Sequence, residues 1–190
     1  MEMKPEPGQA ANVDPANTMN PRASRYAAEF EATLTEFIRL VESLTDEQWT
    51  RVGRNYPQRL NDEDENRPVG VIAHHVAVSA AGMIGRIQAL AEGRPLPPIG
   101  SSTQNQVVQA MSKGNAQHAA EHANVTKEEV LQLLREQQSQ IPAALRSILD
   151  DRLDQSADTP AGRLSVAQRI ERVLIGHIKM HQGSIETAIS

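Results

Sequence analysis

Residues 26–44 read YAAEFEATLTEFIRLVESL, and their apolar side chains recur at intervals of three and four residues. This spacing puts the apolar side chains on one face of a helix about five turns long, and that face must pack against other helices. The face consists of Tyr26, Phe30, Leu34, Phe37, Ile38, Val41 and Leu44. The stretch therefore predicts the first long helix of a helical domain.

Further helices are predicted by the same periodicity and by their start signals. Pro68 suits the first turn of a second long helix that ends near Gly93. Capping-box spacing, in which Ser or Thr is followed three residues later by Glu or Gln, marks helix starts at Thr45, Thr126 and Ser165. A helix rich in Ala and Gln is expected over residues 104–122. The chain has only five aromatic residues and few stretches in which β-branched residues alternate with polar ones, as strands would require. It is therefore predicted to be all-α. We expect a four-helix bundle with a long crossover connection and one or two extra short helices.

The length of 190 residues suits one domain. Residues 1–21 contain four Pro residues and few apolar groups, so they are predicted to be a flexible leader ahead of a domain at residues 22–190. The same residues lack the apolar region of a secretory signal, and a cytoplasmic protein is expected.

Charge and composition argue against several partners. Nineteen Lys and Arg against 24 Asp and Glu give a net charge of −5, without the basic cluster that binds nucleic acid. Uninterrupted apolar runs fall well short of the roughly 20 residues that span a bilayer, so no membrane contact is expected. The absence of Cys excludes disulfides, thiolate ligands and a Cys nucleophile.

Six histidines occur as three pairs. His177 and His181 lie one helical turn apart on the inward stripe of the last helix, so they can bind one metal ion together. Two histidines that merely form local hydrogen bonds in the core or at its rim are the alternative, because the pattern is only two residues long.

Whether the other two pairs can contribute metal ligands depends on which face of their helix each histidine occupies. His74 and His75 lie about 100° apart on the second helix; His75 borders the apolar face, whereas His74 points almost oppositely. His75 is thus the candidate third ligand, with a boundary histidine as the alternative. His118 and His122 also have helical spacing, but their helix has no strong apolar stripe, so surface or rim positions are favoured and their role stays open.

The sequence lacks the motifs that several other enzyme classes require. The segment from His177 to His181 has no Glu after the first His, which a zinc protease of that motif would use as general base. No Gly-rich phosphate loop, no Gly-x-Ser-x-Gly elbow and no Glu-x-x-His pattern of di-iron bundles is present. A mononuclear site of three imidazoles remains.

Four stretches resemble the DinB-like superfamily of metal-binding four-helix bundles. They are FIRLVESLTDEQW at 37–49, PVGVIAHHVA at 68–77, TKEEV at 126–130 and LIGHIKMH at 174–181, and the likeness covers about residues 25–190. The resemblance implies one His on the second helix and a His-x-x-x-His pair on the last as ligands of a divalent metal. The matching positions are His75, His177 and His181, the same three residues that the facing argument selects.

Three neutral imidazoles suit Zn²⁺ or Ni²⁺ and leave a coordination position open, as in catalytic sites. The resemblance also implies relatives that are transferases and isomerases dependent on low-molecular-weight thiols such as mycothiol or bacillithiol. The first hypothesis is therefore a metal-dependent enzyme, such as a thiol S-transferase, that acts on a small electrophilic substrate. The alternatives are a non-catalytic metal-binding or stress-response protein and a structural helical dimer without metal.

A second apolar strip on the last helix bears on self-association. It comprises Ile175, Ile178, Gln182 and Ile189. One bundle interior does not need this strip, so a homodimer is predicted, with a broad core-facing stripe as the alternative.

Overall fold

The computed structural model describes residues 20–53, 67–94, 104–159 and 162–190. Most of the predicted leader, most of the polar connection before Pro68 and the Pro-rich break after the second long helix lie outside the described residues. The first helix begins at Pro21, the last residue of the predicted leader, and the division into leader and domain stays a prediction.

The described residues form an all-α fold, which confirms the predicted class. Its helices are α1 (Pro21–Ser43), α2 (Asp46–Thr50), α3 (Val69–Ala91), α4 (Gln104–Glu121), α5 (Lys127–Arg146), α6 (Val166–Arg169) and α7 (Gly176–Ile189). A π-helical segment, Ile170–Ile175, joins α6 to α7 without a break. The weaker helix predicted over residues 104–122 corresponds to α4.

The polar segment between α5 and α6 contains a short helical turn and two strands that the sequence pattern does not predict. It holds a 3-10 turn, Asp150–Asp154, and a hairpin of β1 (Ser156–Thr159) and β2 (Gly162–Ser165). The two strands are antiparallel, with Ser156 opposite Ser165. The hairpin delivers the chain directly to the start of α6.

All three predicted capping boxes are present. The side chains of Thr45, Thr126 and Ser165 accept hydrogen bonds from the backbone N–H three residues later, and the side-chain oxygen of the Gln or Glu at that position accepts one from the backbone N–H of the cap residue. These reciprocal bonds satisfy two N–H groups that a helix start leaves without partners. Local sequence alone therefore fixes where α2, α5 and α6 begin.

Four long helical elements share one apolar core. α1 packs against α5, α5 against α3, and both α1 and α3 contact the last helical segment, residues 166–189. Phe30, Phe37, Leu34, Ile72, Leu134, Leu145 and Leu174 are fully buried between them. The predicted bundle with its long crossover stays a prediction, because connecting residues lie outside the described part of the chain.

The helix α3 is the most apolar element of the fold. By length and composition it could cross a bilayer, but more than half of its most apolar window is buried inside the protein. Such burial is typical of a core helix in a soluble protein. Val71, Ile72, Ala73 and His74 are all buried in succession, so neighbours cover this helix on more than one side.

The π-helical segment widens the turn immediately before the predicted metal-binding pair. The N–H of Gly176 donates to the carbonyl oxygen of Glu171, five residues earlier. A Cβ at position 176 would lie only 3.1 Å from that same oxygen, so the missing side chain of glycine suits the wide turn. Such segments inside α-helices are frequent at functional sites.

Trp49 links three elements of the structure. Its Nε1 donates to the carbonyl oxygen of Val125, 3.1 Å away, at the junction of α4 and α5. Its ring lies directly against Gly70 in the first turn of α3, where a Cβ would overlap three atoms of the indole. Trp49 therefore connects α2 both to the start of α3 and to the segment before α5.

We expect Gly70→Ala to lower the free energy of unfolding by about 1–3 kcal/mol, because the added methyl group displaces the indole of Trp49. The control is Gly82→Ala on the same helix, where a Cβ meets nothing within 4 Å. That change should raise the free energy of unfolding by up to about 1 kcal/mol through helix propensity. Urea unfolding of both variants checks the pair, and equal effects would contradict the contact.

Candidate metal centre

The three predicted ligands come together in space. His75 on α3 and His177 and His181 on α7 place one ring nitrogen each within 4.8 Å of the others. The Nε2 atom of His177 lies 3.2 Å from Nε2 of His75 and 3.1 Å from Nε2 of His181. These residues are called the first histidine triad below.

Each member of the first histidine triad is held by a core element. His181 is completely buried, one turn beyond His177, while His177 and His75 are half-buried. His177 is the second residue of α7, so the π-helical segment sets the direction in which it leaves the helix. Ile72 and Val76 anchor the neighbouring turn of α3 in the core and fix the position of His75.

The other three histidines form a second group of the same kind. His74 on α3, His118 on α4 and His122 just after α4 also bring their ring nitrogens within 4.8 Å of one another. Nδ1 of His74 lies 2.9 Å from Nε2 of His118, and the ring centroids of His74 and His122 are 4.1 Å apart. These residues are called the second histidine triad below.

The structure corrects the sequence-based interpretation of His74. That residue was expected to point away from the interior, but it is only 6% exposed because the end of α4 covers its side of α3. His118 and His122, for which surface or rim positions were favoured, are half-buried against it. The signal in the sequence was the apolar run before His74, which indicates a helix buried on several sides rather than along one stripe.

Burial controls the charge of the imidazoles. The pKa of His75 is lowered to about 2, mainly by burial and secondly by the neighbouring imidazoles of His181 and His177. Burial, followed by His74, lowers the pKa of His118 to about 4, and burial also lowers the pKa of His74. Near pH 7 these rings are neutral, the form of histidine that binds metal ions.

A buried arginine lies close to both triads. Arg67, only 4% exposed, precedes α3, and its positive charge helps to lower the pKa values of His75 and His118. Positive charge beside an imidazole disfavours its protonation. Arg67 thus helps to keep donors in both triads in the neutral form.

A cavity of about 500 Å³ opens beside the second histidine triad. It is bordered by His74, His122, Val125, Glu129 and Leu133. The carboxylate of Glu129 accepts hydrogen bonds from the N–H and the hydroxyl of Thr126. These bonds are the main reason that the pKa of Glu129 is lowered. Glu129 therefore carries a negative charge at the cavity near neutral pH.

The first histidine triad fits a divalent metal ion by its donor chemistry. It offers three neutral imidazoles from two helices and no carboxylate or thiolate. Imidazole ligands suit Zn²⁺, Ni²⁺ and similar cations rather than Mg²⁺ or Ca²⁺, which prefer oxygen. Three protein ligands are fewer than the four of structural zinc sites.

Comparison with known proteins agrees with these observations. A sequence model of the DinB superfamily matches residues 13–185, which is most of the chain. Comparison with curated proteins finds no match. With its all-α core and a histidine triad that could hold a metal ion, the chain belongs to the DinB superfamily.

Proposed function

We propose that the protein is a divalent-metal-dependent enzyme that joins or transfers a low-molecular-weight thiol to a small electrophile. The observation that carries the proposal is the convergence of His75, His177 and His181, whose ring nitrogens lie within 4.8 Å of one another. Zn²⁺ and Ni²⁺ are the cations that this donor set favours.

The donor set supports catalysis over a purely structural role. Three neutral ligands leave the full charge of a divalent ion uncompensated, and such an ion lowers the pKa of a water or thiol bound in a remaining position. An external thiol is consistent with a chain that has no Cys of its own. Water in the same position would support hydrolytic chemistry instead.

The chain contributes preorganised and neutral donors. His181 is held in the core, and burial keeps the pKa of His75 far below neutral pH, so protons do not compete for its nitrogen in that range. The turn of α3 that carries His75 and the start of α7 are both packed in the core, which fixes the distance between the two helices.

The test uses untagged protein loaded with Zn²⁺ or Ni²⁺ and supplied with mycothiol or bacillithiol and a panel of epoxides and activated alkenes. We expect the rate of thiol consumption to fall at least about 100-fold in His177→Ala. Replacing a residue that only supports a metal ligand already lowers metal affinity or activity about 10- to 100-fold, and loss of a ligand should cost more. Gln182→Ala, one residue beyond His181 and hydrogen-bonded to Glu186, is the matched control and should retain the activity.

Two results would overturn the proposal in different ways. Metal-loaded protein that consumes no thiol with any electrophile would leave a non-catalytic metal-binding protein. Protein that retains no metal after purification and reconstitution would remove the metal-dependent function altogether. Metal analysis by mass spectrometry separates the two results.

A further inference from the structure

Three imidazoles that the first site does not use lie together at the other side of α3. We propose that His74, His118 and His122 form a second divalent-metal site, so that the chain binds two ions. The proposal does not depend on the catalytic function above, because the two triads share no residue.

The ring nitrogens of the second histidine triad, like those of the first, lie close enough together to bind one ion. In both groups one nitrogen from each ring lies within 4.8 Å of the other two. The rings of His118 and His122 have centroids 4.7 Å apart, and both lie against the ring of His74. The donor set is again three imidazoles, which suits Zn²⁺, Ni²⁺, Co²⁺ or Cu²⁺.

Hydrogen bonding alone does not account for this cluster. Nε2 of His118 faces Nδ1 of His74, while Nδ1 of His118 is buried and has no hydrogen-bond partner among the described residues. Buried polar atoms in native proteins normally have a partner, and an exception calls for an explanation such as a bound ion or water. A cation bound by the three ring nitrogens would explain why these imidazoles lie so close together.

The second site would lie beside the first and would be the more accessible of the two. His74 directly precedes His75, and the ring centroids of His75 and His118 are 5.5 Å apart. His74 and His122 border the cavity of about 500 Å³, whereas His181 of the first triad is fully buried. Small ligands in the cavity could therefore reach a cation in the second site.

Electrostatics predicts that the two ions bind with different affinities. Two divalent cations in adjacent sites repel each other, and the buried charge of Arg67 adds to the repulsion. Glu129 supplies a negative charge near His74 and His122, which offsets part of this repulsion at the second site. Binding should thus proceed in two distinguishable steps.

Zinc stoichiometry tests the assignment. Untagged protein is stripped with a chelator, titrated with Zn²⁺ by calorimetry, and analysed for bound zinc. We expect two zinc ions per wild-type chain, one for His118→Ala with His122→Ala, one for His177→Ala with His181→Ala, and none for the fourfold variant. Gln117→Ala, adjacent to His118 on α4 and exposed, should still bind two. Circular dichroism confirms that each variant is folded.

The outcomes are decisive even where one variant fails to fold. A single zinc per wild-type chain that is unaffected by the α4 substitutions would overturn the proposal. If the α4 variant does not fold, the variant without His177 and His181 decides alone: one bound zinc supports the second site, and none overturns it.

Glu129→Gln tests the charge at the second site. Gln at this position preserves the capping box with Thr126 and removes the negative charge. We expect about a 10-fold rise in the dissociation constant of the zinc that remains when His177 and His181 are replaced by Ala, and no change for the zinc that remains when His118 and His122 are replaced. Equal weakening of both, or of neither, would contradict a zinc beside Glu129.

Discussion

Zn²⁺ at a thousand times its dissociation constant is expected to raise the free energy of unfolding by about 4 kcal/mol for each site that it fills. The reason is that the first histidine triad exists only in the folded chain, since His75 and the pair on α7 are about a hundred residues apart in sequence. An ion held there links α3 to α7 across the core. Urea unfolding with and without zinc measures the gain.

The contribution of the first triad is isolated in the variant that lacks His118 and His122. In that background, His75→Ala should remove most of the gain, because His177 and His181 alone can bind zinc in the unfolded chain as well as in the folded one. Gln182→Ala should retain it. A gain that persists without His75 would show that zinc stabilises the protein elsewhere.

Helix starts and the first histidine triad were predictable because both depend on local periodicity. A capping box needs only residues three apart, and the inward direction of His177 and His181 follows from the apolar residues on their own helix. His75 was found in the same way, from the face that includes Ile72 and Val76. That the side chains from α3 and α7 meet depends on how these two helices pack, which the periodicity of each helix does not give.

The second histidine triad was not predictable by that reasoning because it depends on packing between helices. The interpretation of His74 assumed a single buried face, but α3 has neighbours on several sides and buries Val71 and Ala73 as well. Whether α4 covers His74 is decided by long-range packing. The sequence of α4 shows little of this, because its Ala-rich surface has no distinct apolar stripe.

The strip on the last helix has a similar explanation. Ile175 and Ile178 are each only 1% exposed and contribute to the core of this chain. The π-helical segment shifts the direction of the residues that follow it, so the buried face is broader than a regular helix would give. The fold thus accounts for the two isoleucines, while the homodimer stays a prediction.

Lowering the pH of the metal-free protein from 7 to 5 is expected to reduce its free energy of unfolding by about 2 kcal/mol through His75 alone. Burial lowers the pKa of His75 in the folded protein to about 2, whereas in the unfolded chain it returns to its ordinary value near 6.5. The unfolded state therefore binds more protons throughout this range. Stability is fully present above pH 6.5 and is lost as the pH falls below it.

The range from pH 7 to 5 separates the histidines from the carboxylates. Hydrogen bonds and ion pairs lower the pKa values of Asp154 and Glu129, so these groups weaken the fold only in more acidic solution. His74 and His118 shift in the same direction as His75 and add to its effect.

Urea unfolding at both pH values, with a chelator present, measures the loss. His75→Gln removes one titrating ring, so the loss between pH 7 and 5 should shrink by about 2 kcal/mol relative to the wild type. Gln182→Ala should leave the loss unchanged. A free energy of unfolding that is the same at both pH values in the wild type would mean that the folded protein accepts protons on these rings as readily as water-exposed histidines do. The rings would then not be held neutral by burial, and protons would compete with metal ions for His75 near neutral pH.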